Sequence, residues 1–166
     1  MDKDAFCGEC VIVPVDETNI AQAAQIHSAS WQASHRAFCS EAFIALHTPE
    51  HQRAYIEAEM RKGAAFYLLI ADRPTGVVSV NGGLIENLYV LPGEQNKGYG
   101  TRLLRFAVAR CARTPTLFIL DNNDGARRLY ERFGFRLTGR ANAIAENLSE
   151  LELRLDESQT LLNETD

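Results

Sequence analysis

The stretch LYVLPGEQNKGYGTRLL, residues 88–104, joins an apolar run to a helical pattern through a segment with two glycines one residue apart. Its first residues continue a strand-forming run that Pro92 ends. Its last residues begin an amphipathic pattern that predicts a helix from Gly100 to Arg113. Glycines at a helix start indicate either an unusual turn of the backbone or the close approach of another group.

This predicted helix start is a candidate site for an anion. The first N–H groups of a helix have no partner within it, and the helix dipole favours negative charge there. Lys97 adds a positive charge, and glycines lack the Cβ that would hold a phosphate away. Two other phosphate loops do not match: the dinucleotide fingerprint needs glycine in place of Leu103, and a Walker A lysine follows its glycine. A phosphate cradle and an ordinary strand–helix turn both stay compatible with these residues.

The segments on either side of the loop alternate between strand and helix patterns. Thr48-Pro49 offers a hydroxyl N-cap followed by proline at the first helical position, and Asn81-Gly82-Gly83 is a strong hairpin signal. The predicted strands are 10–15, 65–71, 76–80, 84–90, 116–120, 135–138 and 148–155, and the predicted helices are 20–35, 40–47, 49–62, 100–113 and 126–132. This order predicts an α+β fold with a mixed, mostly antiparallel central sheet flanked by helices.

The length and composition predict one globular domain. The chain has 166 residues, of which 46% are hydrophobic and 23% charged, and both values are ordinary for a soluble protein. It has no run of about 18 apolar residues and no apolar signal segment after its polar start, so we expect a cytoplasmic protein without a membrane partner. We expect a flexible N-terminus at 1–9, a single domain at 10–155 and a disordered acidic tail at 156–166.

The four cysteines do not predict a disulfide framework, because the chain has enough apolar residues to form a core without one. Cys7 and Cys10 have the C-x-x-C spacing of some metal and redox sites. A zinc site would need a second pair, and a thioredoxin-type motif would follow a strand, whereas here a strand follows it. We therefore expect no metal, and a frayed terminus is the simpler interpretation of this pair.

Charge is distributed unevenly along the chain. The net charge is −5, yet residues 97–140 carry ten Lys or Arg against three Asp or Glu. A basic segment in an acidic protein suggests an anionic ligand on one side and a cationic one on the other, although solvated helix faces would give the same pattern. The overall acidity argues against general nucleic-acid binding.

The loop and a second motif together resemble a known family. Gln95, Gly98 and Gly100 match the Q/R-x-x-G-x-G/A motif of the GCN5-related N-acetyltransferases, the GNAT superfamily. The segment IENLYVLP, Ile85–Pro92, resembles the fourth strand of that family. The segment NNDGARRLYERFGF, Asn122–Phe135, resembles its N-x-x-A-x-x-L/F-Y-E-x-x-G-F signature. The two motifs at this spacing are far more specific than the loop alone.

This resemblance, which covers roughly residues 10–155, implies acetyl-CoA as the acetyl donor. In the family the fourth strand bulges and pairs with the pantetheine arm, the loop amides wrap the pyrophosphate, and a freed strand amide polarises the thioester carbonyl. The cofactor-binding positions that carry over are Leu88, Tyr89, Val90, Gln95, Asn96, Lys97, Gly98, Tyr99, Gly100, Thr101, Asn123, Ala126 and Tyr130. Tyr130 would also protonate the leaving thiolate as a general acid.

The resemblance further implies transfer to a primary amine of a small molecule or protein, by direct attack in a ternary complex. An amine is mostly protonated at pH 7, so a base must remove a proton. Glu86 on the predicted fourth strand is the first candidate base, and an exposed structural carboxylate is its alternative interpretation. His27 on the first helix is a second candidate, and His27 and Trp31 could bind the acceptor or could equally be structural.

Alternative functions stay open at this point. One is a catalytically silent CoA-binding regulatory domain that keeps the loop but lacks a working base. Another is an acetyltransferase that modifies aminoacyl-tRNA, which expects a basic RNA-facing surface and is disfavoured by the net charge of −5. Dimers are frequent in the family, so a homodimer is compatible with the resemblance. The acceptor is not identified, because a fold does not determine its substrate.

Overall fold

The computed structural model describes residues 9–157, so the predictions for Cys7 and for most of both chain ends lie outside the described residues. Within this range the elements follow the predicted order, with one added 3-10 turn at Pro92–Glu94. The strands are β1 (Val11–Pro14), β2 (Ala65–Ile70), β3 (Pro74–Asn81), β4 (Leu84–Val90), β5 (Thr116–Leu120), β6 (Phe135–Ala145) and β7 (Leu148–Leu155). The helices are α1 (Ile20–His35), α2 (Glu41–Ala45), α3 (Pro49–Arg61), α4 (Tyr99–Val108) and α5 (Asp124–Phe133).

All seven strands of residues 9–157 form one sheet in the order β1-β2-β3-β4-β5-β7-β6. Neighbouring strands are antiparallel except β4 and β5, which run parallel. α1 and α3 pack on one face through residues that include Ala23 and Ile56. α4 and α5 pack on the other face through residues that include Leu103 and Tyr130. The predicted α+β class with a mostly antiparallel sheet is therefore confirmed.

β4 contains a bulge at Asn87 and Leu88, which together stand opposite Val78 of β3. The register on either side of the bulge is Val77↔Tyr89 and Ser79↔Glu86. Asn87 takes a φ of 54°, in the left-handed region that asparagine tolerates better than most residues. The bulge shifts the alternation of the strand by one residue, so Ile85, Leu88 and Val90 all pack in the same core cluster.

α4 ends at Val108, whereas its apolar stripe predicts a helix that continues to Arg113. Two i→i−3 hydrogen bonds tighten the chain immediately after the helix. The Ala112 N–H then donates to the Gly82 carbonyl, in the β3–β4 hairpin, at 2.9 Å. The predicted end was wrong because this tertiary contact turns the chain toward β5 before the helical pattern runs out.

β6 runs from Phe135 to Ala145, whereas the predicted strand ended at Thr138. All its residues after Phe135 are exposed, so no apolar alternation marks them as a strand. Pairing with β7 sustains the strand through two register shifts and a glycine at φ 92°, Gly139. The predicted boundary was wrong because the partner strand, rather than burial, forms this part of the sheet.

Ser30 lies on α1 and is buried. Its side chain is 4% exposed, and its hydroxyl has no partner among residues 9–157. Ser30→Ala should therefore raise the free energy of unfolding by about 1 kcal/mol, measured by urea denaturation. Ser28, on the same helix and equally buried, donates to the His47 carbonyl at 2.6 Å, so Ser28→Ala should lower it by about the same amount. Effects of the same sign at both positions would contradict this assignment.

Candidate functional site

β4 and β5 diverge after a single pairing. Leu84 stands opposite Thr116, whose N–H donates to the Gly83 carbonyl at 2.8 Å, and the described residues show no further pairing between these strands. Because β4 stays paired with β3 and β5 with β7, the sheet splits at this point. The predicted cofactor-binding residues at 88–90 lie on β4 beside the split. An extended ligand group can add hydrogen bonds to a strand edge of this kind.

The loop after β4 leads into a helix start that has no side-chain cap. Asn96 and Gly98 both have left-handed backbone, with φ of 63° and 89°, and Gly98 is the N-cap of α4. The Arg102 N–H donates to the Gly98 carbonyl at 3.1 Å and begins the i→i−4 ladder. In an α-helix the N–H groups of the first turn, here those of residues such as Gly100 and Thr101, are directed out of the helix start, which makes it a site suited to an anion. The predicted loop residues divide between the turn and the helix start: Gln95, Asn96, Lys97 and Gly98 lie in the turn, and Tyr99, Gly100 and Thr101 lie in the first turn of α4.

Lys97 belongs to a cluster of ion pairs beside the loop, in which Lys97 and Arg73 both pair with Glu94. Lys97 Nζ donates to one carboxylate oxygen of Glu94 at 2.7 Å, and Arg73 donates to the other at 3.0 Å. Gln95 Nε2 donates to the Val90 carbonyl at 3.3 Å and ties the loop to the end of β4. An anion at the helix start would therefore compete with Glu94 for the two cations.

α5 brings the second motif against this loop. Asn123 caps the helix, since its Oδ1 accepts from the Ala126 N–H at 3.1 Å. A Cβ on Gly100 would lie 3.5 Å from the Leu129 side chain, so the first turn of α4 packs against α5. Tyr130 is 8% exposed and makes no hydrogen bond with the described residues. Burial raises the pKa of Tyr130 to about 12, so the phenol keeps its proton at neutral pH.

Glu86 is an exposed residue whose carboxyl nevertheless has a raised pKa. Desolvation by its surroundings is the largest cause, and the carboxylates of Glu59 on α3 and Glu150 on β7 add like-charge repulsion. A raised pKa makes a carboxylate a stronger base, which is the property that general base catalysis near neutral pH requires. The position of Glu86 on β4 and its raised pKa therefore suit a proton acceptor.

His27 is buried, with both ring nitrogens in hydrogen bonds. Its side chain is 2% exposed, its Nε2–H donates to Asn87 Oδ1 at 2.9 Å, and its Nδ1 accepts from the Gln52 amide at 2.8 Å. Desolvation lowers the pKa of His27 and favours the neutral ring. In this position both ring nitrogens of His27 bond to protein groups, and its acceptor-binding or base role stays a prediction.

Trp31 lies in an aromatic stack formed by α1, α2 and His47, which follows α2. Its partly buried ring stacks between His35 at 3.9 Å and His47 at 3.5 Å, with Phe43 edge-on at 5.9 Å. These contacts hold the two helices together and leave an apolar surface around the stack, where Phe43 is 47% exposed. The role of Trp31 in acceptor binding stays a prediction.

The sequence analysis did not single out Gln52, Tyr55 and Asn87, which surround His27 under the bulge, whereas it did predict that Tyr89 binds the cofactor. The Tyr55 hydroxyl donates to Asn87 Oδ1 at 3.2 Å, and the Tyr55 and Tyr89 rings lie 5.4 and 5.0 Å from the His27 ring. Burial raises the pKa of Tyr89, and Tyr55 and Tyr130 raise it further. The Tyr89 side chain packs against the core cluster that contains Ala23 and Ile56. The available signal in the sequence was the spacing of Ile85, Leu88 and Val90, which are three and then two residues apart. This spacing departs from strict alternation and indicates a bulge.

Residues 9–157 contain no group of three or more His, Cys, Asp or Glu that could hold a metal ion. Over the same range, no helix is both long enough and apolar enough to cross a membrane. Cys10, Cys39 and Cys111 form no disulfide with one another.

A model of the acetyltransferase (GNAT) family matches residues 20–135, from the start of α1 to the start of β6. The matched range contains the split between β4 and β5, the glycine loop and α5. No curated protein matches the chain.

Several solved structures share the fold over nearly their whole length. PaiA N-acetyltransferase from Thermoplasma acidophilum, solved with coenzyme A, is 16% identical, with 89% of this chain and 99% of that chain covered and a TM-score of 0.65. YncA from Salmonella typhimurium, solved with its cofactor acetyl-CoA, is 21% identical, with 90% and 96% covered and a TM-score of 0.62. The apo form of YjaB from Escherichia coli is 20% identical, with 89% and 97% covered and a TM-score of 0.64. At these identities the likeness shows the fold.

Proposed function

Because the chain belongs to the acetyltransferase (GNAT) family, we propose that it is an acetyl-CoA-dependent N-acetyltransferase acting on a primary amine of a small molecule or protein. The observation that carries the proposal is the split between β4 and β5 beside the uncapped glycine start of α4. The split offers a strand edge to a pantetheine arm, and the helix start offers N–H groups to a pyrophosphate. When bound, acetyl-CoA supplies an acetyl group activated as a thioester.

Three groups of this chain support the chemistry. Glu86 takes the proton that an ammonium must lose before its nitrogen can attack. Tyr130 holds a proton on its hydroxyl oxygen for the departing sulfur, in a site whose burial disfavours a free negative charge. The bulge at 87–88 leaves one strand N–H outside the β3 ladder, where it can stabilise negative charge on the carbonyl oxygen.

The direct test is release of free CoA from acetyl-CoA over a panel of small amines and lysine-containing peptides, with the acetylated product identified by mass spectrometry. Turnover of at least one amine supports the proposal. Calorimetric binding of acetyl-CoA without CoA release from any amine would instead identify a silent CoA-binding domain. Absence of both binding and release would contradict the cofactor site itself.

Gly98→Val should weaken acetyl-CoA binding by about 10- to 100-fold, measured by isothermal titration calorimetry. Gly98 has a φ of 89°, which a β-branched residue adopts only with strain, and a side chain there would stand where the phosphates approach. Unchanged affinity would show that the loop does not bind the cofactor.

Substitutions at two other glycines distinguish the effect of a strained backbone from the effect of a side chain close to the ligand. Gly93 lies in the same loop with no heavy atom within 4 Å of an added Cβ, so Gly93→Ala should bind acetyl-CoA like the wild type. Gly100 has ordinary φ, and its added Cβ would make only van der Waals contact with Leu129 at 3.5 Å. A loss of affinity in Gly100→Ala would therefore report the nearness of the ligand and not a strained backbone.

A further inference from the structure

A chain of polar side chains, each within hydrogen-bond distance of the next, lies under the β4 bulge. Asn87 stands at its centre: Oδ1 accepts from His27 at 2.9 Å and from Tyr55 at 3.2 Å, and Nδ2 donates to Ser79 Oγ at 3.0 Å. Ser79 Oγ in turn donates to the Glu86 carbonyl at 3.1 Å. One residue of β4 is thereby joined to α1, α3 and β3.

The donors and acceptors in this chain are consistent only with a neutral His27. The Gln52 amide nitrogen can only donate, so His27 Nδ1 accepts and His27 Nε2–H donates to Asn87. Gln52 Oε1 accepts in turn from His51 Nδ1 at 2.8 Å. Because His27, Gln52 and Ser79 are each no more than 3% exposed, losing one partner would leave another buried group without a hydrogen bond.

These hydrogen bonds surround a backbone conformation that is uncommon for a residue other than glycine. Asn87 has a φ of 54°, and the bulge at this point reverses which residues of β4 face α1 and α3. The residues on either side are the candidate base Glu86 and the strand segment 88–90 beside the split. A shift of the backbone at Asn87 would therefore move Glu86 and the strand segment 88–90 together.

We propose that Asn87, held by His27 and Tyr55, is a positioning residue for acetyl transfer that fixes the β4 bulge and so aims the strand edge at the thioester. The proposal rests on the proposed acetyltransferase function. Asn87 acts through the backbone: its Oδ1 accepts from His27 and Tyr55, its Nδ2 donates to Ser79, and these bonds hold the neighbouring N–H and Glu86 in place.

The kinetic test uses variants that remove the network without straining the backbone. Asn87→Gly keeps a residue that accepts positive φ but removes the side chain, and it should lower kcat at least about tenfold while the KM for acetyl-CoA changes less than about threefold. His27→Leu should give a similar loss, and His27→Gln, which retains an amide donor, should recover most of it. The double variant Asn87→Gly/His27→Leu should be no slower than the slower single variant, because both changes break one unit.

A second readout does not depend on turnover. Hydrogen exchange of the Leu88 and Tyr89 amides, in the ligand-free protein, should become at least about tenfold faster in Asn87→Gly and His27→Leu. Ile56→Val is the control: it removes a methylene from the buried core on α3, lowering stability by about 1 kcal/mol without touching the network. This control should leave both kcat and the exchange of these two amides close to wild type.

Several outcomes would overturn the network. The first is a kcat of Asn87→Gly and His27→Leu within about twofold of wild type. The second is that the losses of kcat in the two single variants multiply in the double variant. The third is that Ile56→Val changes kcat and amide exchange as much as the network variants do. If the wild type turns over an amine and any of these three outcomes is found, the positioning role of the network is rejected and the proposed acetyltransferase function stands. A wild type that acetylates no amine contradicts the proposed function, and the exchange rates then decide the network by themselves. If circular dichroism shows Asn87→Gly to be unfolded, His27→Leu and His27→Gln are compared, and equal kcat and equal exchange in the two would count against the network. If His27→Leu is unfolded, Asn87→Gly is compared with wild type.

Discussion

Tyr130→Phe should lower kcat by about 10²- to 10⁴-fold and leave the KM for acetyl-CoA nearly unchanged. The substitution removes only the hydroxyl, which makes no hydrogen bond with the described residues, and it keeps the ring that packs 6.1 Å from the Phe135 ring. Stability should therefore not fall, and any loss of rate reports the missing proton. Steady-state release of CoA, followed with a thiol reagent, measures kcat and KM together.

Tyr67→Phe is the matched control for this substitution. Tyr67 lies on β2, where its ring contacts Phe106 edge-on at 4.8 Å, away from the split between β4 and β5. It loses the same hydroxyl and should keep wild-type kinetics. A Tyr130→Phe variant with kcat within about threefold of wild type would make Tyr130 a core residue that packs against the cofactor, without proton transfer.

Glu86→Gln should lower kcat by about 10²-fold, because glutamine cannot accept the ammonium proton. In the wild type, kcat/KM should fall as the pH is lowered through the raised pKa of Glu86, and this limb should be absent from the variant. The profile is measured between about pH 5 and pH 9 with the best amine of the panel. A rate within about twofold of wild type would remove Glu86 as the base.

Stability separates this catalytic effect from misfolding. Folded Glu86 keeps its proton to a higher pH than the unfolded chain does, so its ionisation costs stability as the pH rises through the raised pKa. Glu86→Gln carries no such charge and should be at least as stable as wild type at neutral pH. Glu57→Gln, at an exposed carboxylate paired with Arg53 on α3, should change neither the rate nor the pH profile.

The parts of the fold that sequence predicted well are those that local chemistry determines. Thr48 caps α3 by accepting from the His51 N–H at 3.2 Å, with Pro49 in the first turn, as the Thr-Pro pair predicted. β4, β5 and β7 begin and end at the predicted residues. Hydroxyl caps, proline and apolar runs act over a few residues, so a single sequence contains the information they need.

The parts that sequence missed depend on distant partners. β6 is long because β7 pairs with it, and α4 is short because the hairpin glycine at 82 accepts from the chain after it. The exposed residues of β6 predicted a strand that is too short, and the continuing apolar stripe of α4 predicted a helix that is too long. A hydrogen bond between segments far apart in the chain leaves no periodic trace in either of them.

By itself the sequence determined the element order, the glycine turn at the start of α4 and the α5 motif with Asn123 and Tyr130, because caps, turns and periodicity are short-range. Only the tertiary structure decided that β4 and β5 separate after one pairing and that His27 is buried. His27 meets Asn87 across 60 residues of chain, and that contact depends on α1 packing on β4. Whether a histidine faces a substrate or supports a strand is a matter of which groups surround it, and folding alone brings those groups together.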